Sequence, residues 1–354
     1  MPVRVTTDAL TGTLEWAMST TRTLVTQTAR RRNGGAGKKA MTNIRSDQNR
    51  DVTSSKIRRR SPLGSKWTPY LFLGPAALYL LFFQSYPLIQ ELRLSFTKTS
   101  LLNPNNNVWV GLDNFAAIFA SPDFQRTLWT TLIYVLACVI GAVGVGLATA
   151  LMLNADFPGR GLARALITVP WAAPSVAVAL IATWMLDAQY GILTRGLNSI
   201  GIDVPGAILN NLEWAMPAIL ATTIWQLFPF SSVVLLSALQ SVPKEVTEAA
   251  IMDGAGPIWS FRAATWPVIR PTVGLLVLLM SIWSIRRFEL IWLMTKGGPV
   301  GSTETLVIDL YSRAFVSNDL GMAAAIGMVG VIISLIIVSG SLLITRRAEQ
   351  ENLR

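Results

Sequence analysis

The chain contains no histidine and a single cysteine, and only 14% of its 354 residues are charged. Without histidine it lacks the commonest general base and transition-metal ligand, so a histidine-based triad or an imidazole metal cluster is excluded. Cys138 stands alone within an apolar run, which excludes a disulfide framework and a thiolate metal site. Scarce charge leaves few groups for carboxylate or lysine chemistry. The chain is therefore not expected to be an enzyme.

What is abundant is apolar surface. Hydrophobic residues make up 51% of the sequence, and the mean hydropathy is +0.46. That is too apolar for an ordinary soluble domain. The formal net charge of +10 is confined to one end: residues 1–66 carry 14 basic and 4 acidic side chains, whereas residues 67–354 carry 16 of each. A basic hydrophilic tail thus precedes an electrically balanced, hydrophobic body. The tail has clusters at Arg30-Arg31-Arg32, Lys38-Lys39 and Arg58-Arg59-Arg60 but no apolar stretch of signal-peptide length. It is read as a disordered cytoplasmic segment attracted to anionic lipid headgroups, with the first span acting as an uncleaved signal anchor. No aromatic side chains are interleaved with the arginines to stack on bases, so nucleic acid is not expected as a partner. The run from Asn33 to Lys39 lacks the glycine and hydroxyl spacing of a phosphate loop.

Crossing a bilayer core of roughly 30 Å takes about 20 predominantly apolar residues in a helix. Six stretches qualify, over residues 69–89, 128–153, 162–186, 215–239, 272–294 and 322–344. Gly141, Gly144 and Gly146 in the second, Pro170 and Pro174 in the third and Pro229 in the fourth are tolerated in membrane helices. The glycines are read as sites of close helix approach. Lys and Arg retained on the cytoplasmic side set the orientation. One register of loops holds 22 of them, the other only six: Arg93, Lys98, Arg126, Arg195, Lys296 and Arg313. Both termini are therefore placed in the cytoplasm. Residues 67–347 form the six-span domain and residues 348–354 a short cytoplasmic tail.

The loop between the fourth and fifth spans, residues 241–271, is too long to be a simple connection. Pro243 suits a helix start, and Glu245 and Glu248 favour a positive helix N-terminus. Gly254, Gly256 and Pro257 stop that helix and begin another. Trp259, Phe261, Trp266 and Ile269 are expected to anchor the second helix against the spans. About thirty ordered residues imply a docking surface.

The run Glu248-Ala249-Ala250, then Asp253-Gly254-Ala255, then Pro267-x-Ile269-x-Pro271, resembles the EAA loop of permease subunits in bacterial binding-protein-dependent ABC importers. A second stretch, Arg286-x-Phe288-Glu289-Leu290-Ile291-Trp292 followed by Thr295-Lys296-Gly297-Gly298-Pro299, resembles the carbohydrate, MalF-like branch, although Lys296 stands where many relatives have glycine. The resemblance covers residues 67–347 and implies an all-α integral membrane fold of six helices with a cytoplasmic coupling loop. It also implies that Glu248, Ala249, Ala250, Asp253 and Gly254 dock on an ATP-binding subunit and transmit its closure. Small alanines allow close approach, Gly254 can take a positive φ, and the acids can pair with donors.

Charges within a span cost about 2.5 to 3.5 kcal/mol each on insertion scales, so Arg286, Arg287 and Glu289 need partners or water. Arg286 and Glu289, three apart, can share a helical face. They either neutralise each other or border a water-filled path. Thr223, Gln226 and Phe230 fall at i, i+3 and i+7, a stripe of hydroxyl, amide and ring that suits a sugar. It equally suits core packing. The resemblance to MalF-like permeases supports Thr223, Gln226, Phe230, Ile285 and Arg286 as path-lining residues.

The reading is a permease subunit of an ATP-driven importer for an oligosaccharide or related polyol, in the bacterial inner membrane. No Gly-x-x-x-x-Gly-Lys-Ser/Thr loop occurs. The chain is expected to bind no cofactor, with ATP and Mg on two separate ATP-binding subunits. The other implied partners are a second permease, giving a heterodimer, an extracytoplasmic sugar-binding protein and membrane lipids. The alternatives are an ion-coupled secondary carrier or channel, which leaves the EAA-like loop unexplained, and a basic-tailed membrane anchor.

Overall fold

The structure is a computed structural model that describes residues 68–202 and 207–352. All lie in the unit Trp67–Arg354; the basic N-terminal tail lies outside the described residues. Among the described residues, five helices are long and apolar enough to cross a membrane. They lie in α1 (Thr68–Ser95), α3 (Pro122–Asn154), α7 (Ala215–Gln240), the segment Pro257–Ile285 and α13 (Leu320–Asn352). A sixth apolar stretch is divided between α4 (Arg160–Ala172) and α5 (Ser175–Met185), which pass the same test only together and meet at 94°.

Two of the expected spans are thus not single helices. The third breaks at Ala173-Pro174 because proline has no N–H to donate and forces the preceding residue out of the helical region. Ala173 is extended, with φ −74° and ψ 137°. The fifth starts earlier than expected, with α9 (Pro257–Ser260), a π-helical turn over Phe261–Thr265 and α10 (Trp266–Ile285). It also stops earlier: Arg286, at φ −90° and ψ 5°, ends α10. The chain resumes as α11 (Glu289–Thr295).

Smaller elements join the spans. A hairpin of β1 (Thr97–Ser100) and β2 (Asn103–Trp109) pairs Thr97 with Trp109, a departure from the all-α expectation that lies outside the long helices. It is followed by α2 (Asp113–Ala120). The Asn114 amide donates to the carbonyls of Ser95 and Thr97, both at 2.9 Å, and so fastens α2 to the junction between α1 and the hairpin. The helices α6 (Ile192–Ser199), α8 (Lys244–Met252) and α12 (Leu306–Tyr311) complete the chain.

The core lies where α3 crosses α7 and α10, around Val139, Leu235, Leu276 and Met280. Glycines permit the closeness of α3 and α7. A Cβ on Gly141 would lie 2.3 Å from Ile224, and one on Gly146 would lie 2.5 Å from Ser231. Gly144 has open space instead. Lipid offers no hydrophobic gain for pairing helices, so this close contact is where the association gains its van der Waals energy.

Candidate functional site

The breaks in the third and fifth spans meet on one side chain. Gln226 is buried in the middle of α7. Its Nε2 donates to the Ala173 carbonyl at 3.2 Å and lies 3.5 Å from the Ser175 hydroxyl, on either side of Pro174. Its Oε1 accepts a hydrogen bond from Arg287 Nη1 at 2.7 Å. A single amide therefore ties the open end of α4 to the gap between α10 and α11. Backbone freed by a broken membrane helix must find a partner, because hydrocarbon offers none. The Ala173 carbonyl finds Gln226.

One turn earlier on the same stripe, Thr223 is fully buried and shares a 3.0 Å hydrogen bond with the Tyr134 hydroxyl of α3. Tyr134 was not singled out from the sequence. A lone tyrosine inside an apolar span was the available signal, since a buried phenol needs a partner for its hydroxyl. Phe230, one turn beyond Gln226, packs its ring against Trp171 at 5.4 Å and Trp283 at 5.0 Å. The stripe joins α3, α4, α5, α7 and α10 through two polar side chains and an aromatic one.

The structure separates the three charged residues of the fifth span. Arg287 turns inward to Gln226, while Arg286 and Glu289 are exposed and lie on opposite sides of the gap between α10 and α11. Of the two alternatives for Arg286 and Glu289, mutual neutralisation is not seen: the helix that would align them is interrupted, and no ion pair joins them among the described residues. Ile285 is buried, and with Arg286 it lines a cleft bordered by α1 and α13.

The long loop forms a helix, a turn and a second helix. The chain reverses at Gly254, whose φ is +80°. The amides of Asp253 and Ala255 donate to the carbonyls of Ala249 and Ala250, both at 3.0 Å, closing the C-terminus of α8. Glu248, Ala249, Asp253 and Gly254 are exposed, and Ala250 is half-buried. Of the expected apolar anchors, Ile269 is fully buried and Phe261 packs against the core. Trp259 does the opposite and is 73% exposed, beside exposed Ile258 and Met252. Trp259 lies within α9, and Trp266, the remaining expected anchor, is also exposed.

A second turn is closed by threonines. The Thr303 hydroxyl lies 2.7 Å from that of Thr295 and donates to the Gly298 carbonyl at 2.7 Å. Lys296 takes φ 55°, where glycine is the easier residue. In the same turn, burial raises the Glu304 carboxyl above its ordinary range, and the nearby Asp309 adds to the effect.

A bundle of membrane helices, two of them broken and joined through a buried amide, has the architecture of a transport protein. The chain belongs to the binding-protein-dependent transport system inner membrane components, whose family model matches residues 142–350. It is a permease subunit. It is 33% identical over 285 residues to the sulfoquinovosyl glycerol transport system permease protein SmoG of Agrobacterium fabrum, covering 80% of this chain and 92% of that one. It is 29% identical over 278 residues to the trehalose/maltose transport system permease protein MalF of Thermococcus litoralis, covering 78% and 92%. It also resembles a chain in the crystal structure of a bacterial ABC transporter that imports the acidic polysaccharide alginate, with a TM-score of 0.69 and 25% identity over 79% of this chain and 96% of that one.

Proposed function

We propose that this permease passes a sugar, an oligosaccharide or related polyol, through the inner membrane as half of the path of an ATP-driven importer. The observation that carries the reading is the junction at Gln226, where amide, hydroxyl and guanidinium groups meet aromatic rings between two broken helices. Sugars need partners for their hydroxyls and an aromatic face for their C–H surface. The two named relatives transport a glycoside and disaccharides by their printed descriptions, which supports the same class of cargo here. The binding protein delivers the cargo, and a second permease supplies the other half of the path.

ATP is hydrolysed on two separate subunits, which dock on α8 and the Gly254 turn. Glu248, Ala249, Ala250, Asp253 and Gly254 form the contact, and its movement reaches α10 through the continuous helix that follows Pro257. The excess of Lys and Arg in the tail, in this loop and at the C-terminal end supports a cytoplasmic location for all three.

Gly254→Asp tests the coupling. A Cβ at this position meets nothing within 4 Å, and aspartate tolerates the left-handed region better than most residues. The variant is expected to assemble, to retain the ATPase on purification and to lose uptake of labelled sugars. Undiminished uptake with the ATPase still attached overturns the coupling assignment; uptake of no labelled sugar by the parent overturns the cargo class.

A further inference from the structure

The cleft that holds Ile285 and Arg286 contains a carboxylate that the reading above does not use. Its walls are the outer part of α1, the end of α10, α12 and α13, and its volume is about 790 Å³. Gln84, Leu88 and Glu91 line it from α1, where spacings of four and three residues put them on one helical face. Arg286 lines it from α10, and Leu310 and Ile326 supply apolar surface. Glu91 lies directly over Gly327 of α13: a Cβ there would stand 2.0 Å from its carboxylate oxygen. The glycine makes room for an acid inside a helix-to-helix contact.

Neither Glu91 nor Arg286 makes an ion pair among the described residues, although both face the same space. Opposite charges left apart at the border of a membrane are costly unless water or a polar ligand fills the gap. An acceptor, a donor and an amide line one otherwise largely apolar cleft. That combination recognises a polyhydroxylated molecule, whose hydroxyls both donate and accept while its C–H faces pack on apolar side chains.

We infer that Glu91 and Arg286 form a second polar subsite for the cargo, in a cleft between α1 and α13 separate from the Gln226 junction, with Gly327 as the residue that seats Glu91. This rests on the reading of the chain as a sugar permease. The subsite adds the first span to the path and makes Glu91 a residue that affects which cargo passes.

The test is thiol labelling, which needs no knowledge of the cargo. The natural cysteine, Cys138, is fully buried and gives a silent background. Glu91→Cys and Arg286→Cys are placed separately in the complete assembly, with its partner permease and ATPase, and exposed to a charged methanethiosulfonate with and without an ATP analogue that traps the closed ATPase. A subsite on the path changes its access to water as the transporter changes state. Both cysteines are then expected to react at least about fivefold faster in one nucleotide state than in the other. Labelling in neither state means that lipid or a partner helix fills the cleft, and equal labelling in both means a static surface; each overturns the proposal. If Glu91→Cys does not assemble, Leu88→Cys and Gln84→Cys on the same face give the same reading. Neither outcome depends on which cargo the uptake assay identifies, so the subsite and the cargo class fail separately.

Discussion

Gln226 makes more decisive contacts than its size implies. Replacing it with leucine leaves the Arg287 guanidinium and the Ala173 carbonyl without their partner, and a buried polar group stranded in this way costs about 1 to 3 kcal/mol. Tyr134→Phe removes one hydroxyl contact with Thr223, and such bonds between membrane helices average only about 0.6 kcal/mol. Thermal unfolding of the purified assembly is therefore expected to show a clear loss for Gln226→Leu and a small one for Tyr134→Phe. Equal losses contradict the junction. The stripe of Thr223, Gln226 and Phe230 was legible in the sequence because helical periodicity is local. Its partners were not, since Ala173 and Arg287 lie 53 and 61 positions away. Glu91 is not legible for a simpler reason: the apolar stretch ends at residue 89, whereas α1 continues to Ser95.

Hydrophobic length located the five long helices and the bent pair between α3 and α7, and glycine and proline located the turn after α8. Length says nothing of continuity. Pro170 and Pro174 both lie in the third span, yet Pro170 stays within α4 and the break comes at Pro174, where the freed carbonyl has Gln226 to receive it. The turn between α11 and α12 carries a pH dependence. The Glu304 carboxyl titrates above its ordinary value of 4.5 because folding buries it. The unfolded chain then gives up its proton more readily, so this residue favours the folded state fully below pH 4.5 and loses that contribution as pH rises through the raised value. Glu304→Gln is expected to match the parent in acid and to be the more stable at neutral pH, in unfolding temperatures taken across a pH series. A parent that gains stability relative to the variant on going from acid to neutral pH contradicts this account.

For the whole molecule, the charge separation remains the plainest feature: all of the +10 lies in residues 1–66, and the body is neutral. The family model matches residues 142–350, within that body. Transport is accordingly assigned to the body, and a chain lacking residues 2–60 is expected to insert and to support uptake at the parent's rate. Loss of uptake with normal membrane insertion requires a role for the tail beyond attraction to lipid headgroups. The 94° elbow in the third crossing bears on how the body fits its bilayer. At 1.5 Å per residue, the 13 residues of α4 and the 11 of α5 reach about 20 and 17 Å, and neither alone covers a hydrocarbon core of about 30 Å. The straight helices meet a thicker or thinner bilayer by tilting. A bent pair of helices reaches further as its angle opens, and Gln226 bonds the backbone at that bend, so the junction sits where any change of reach would be centred.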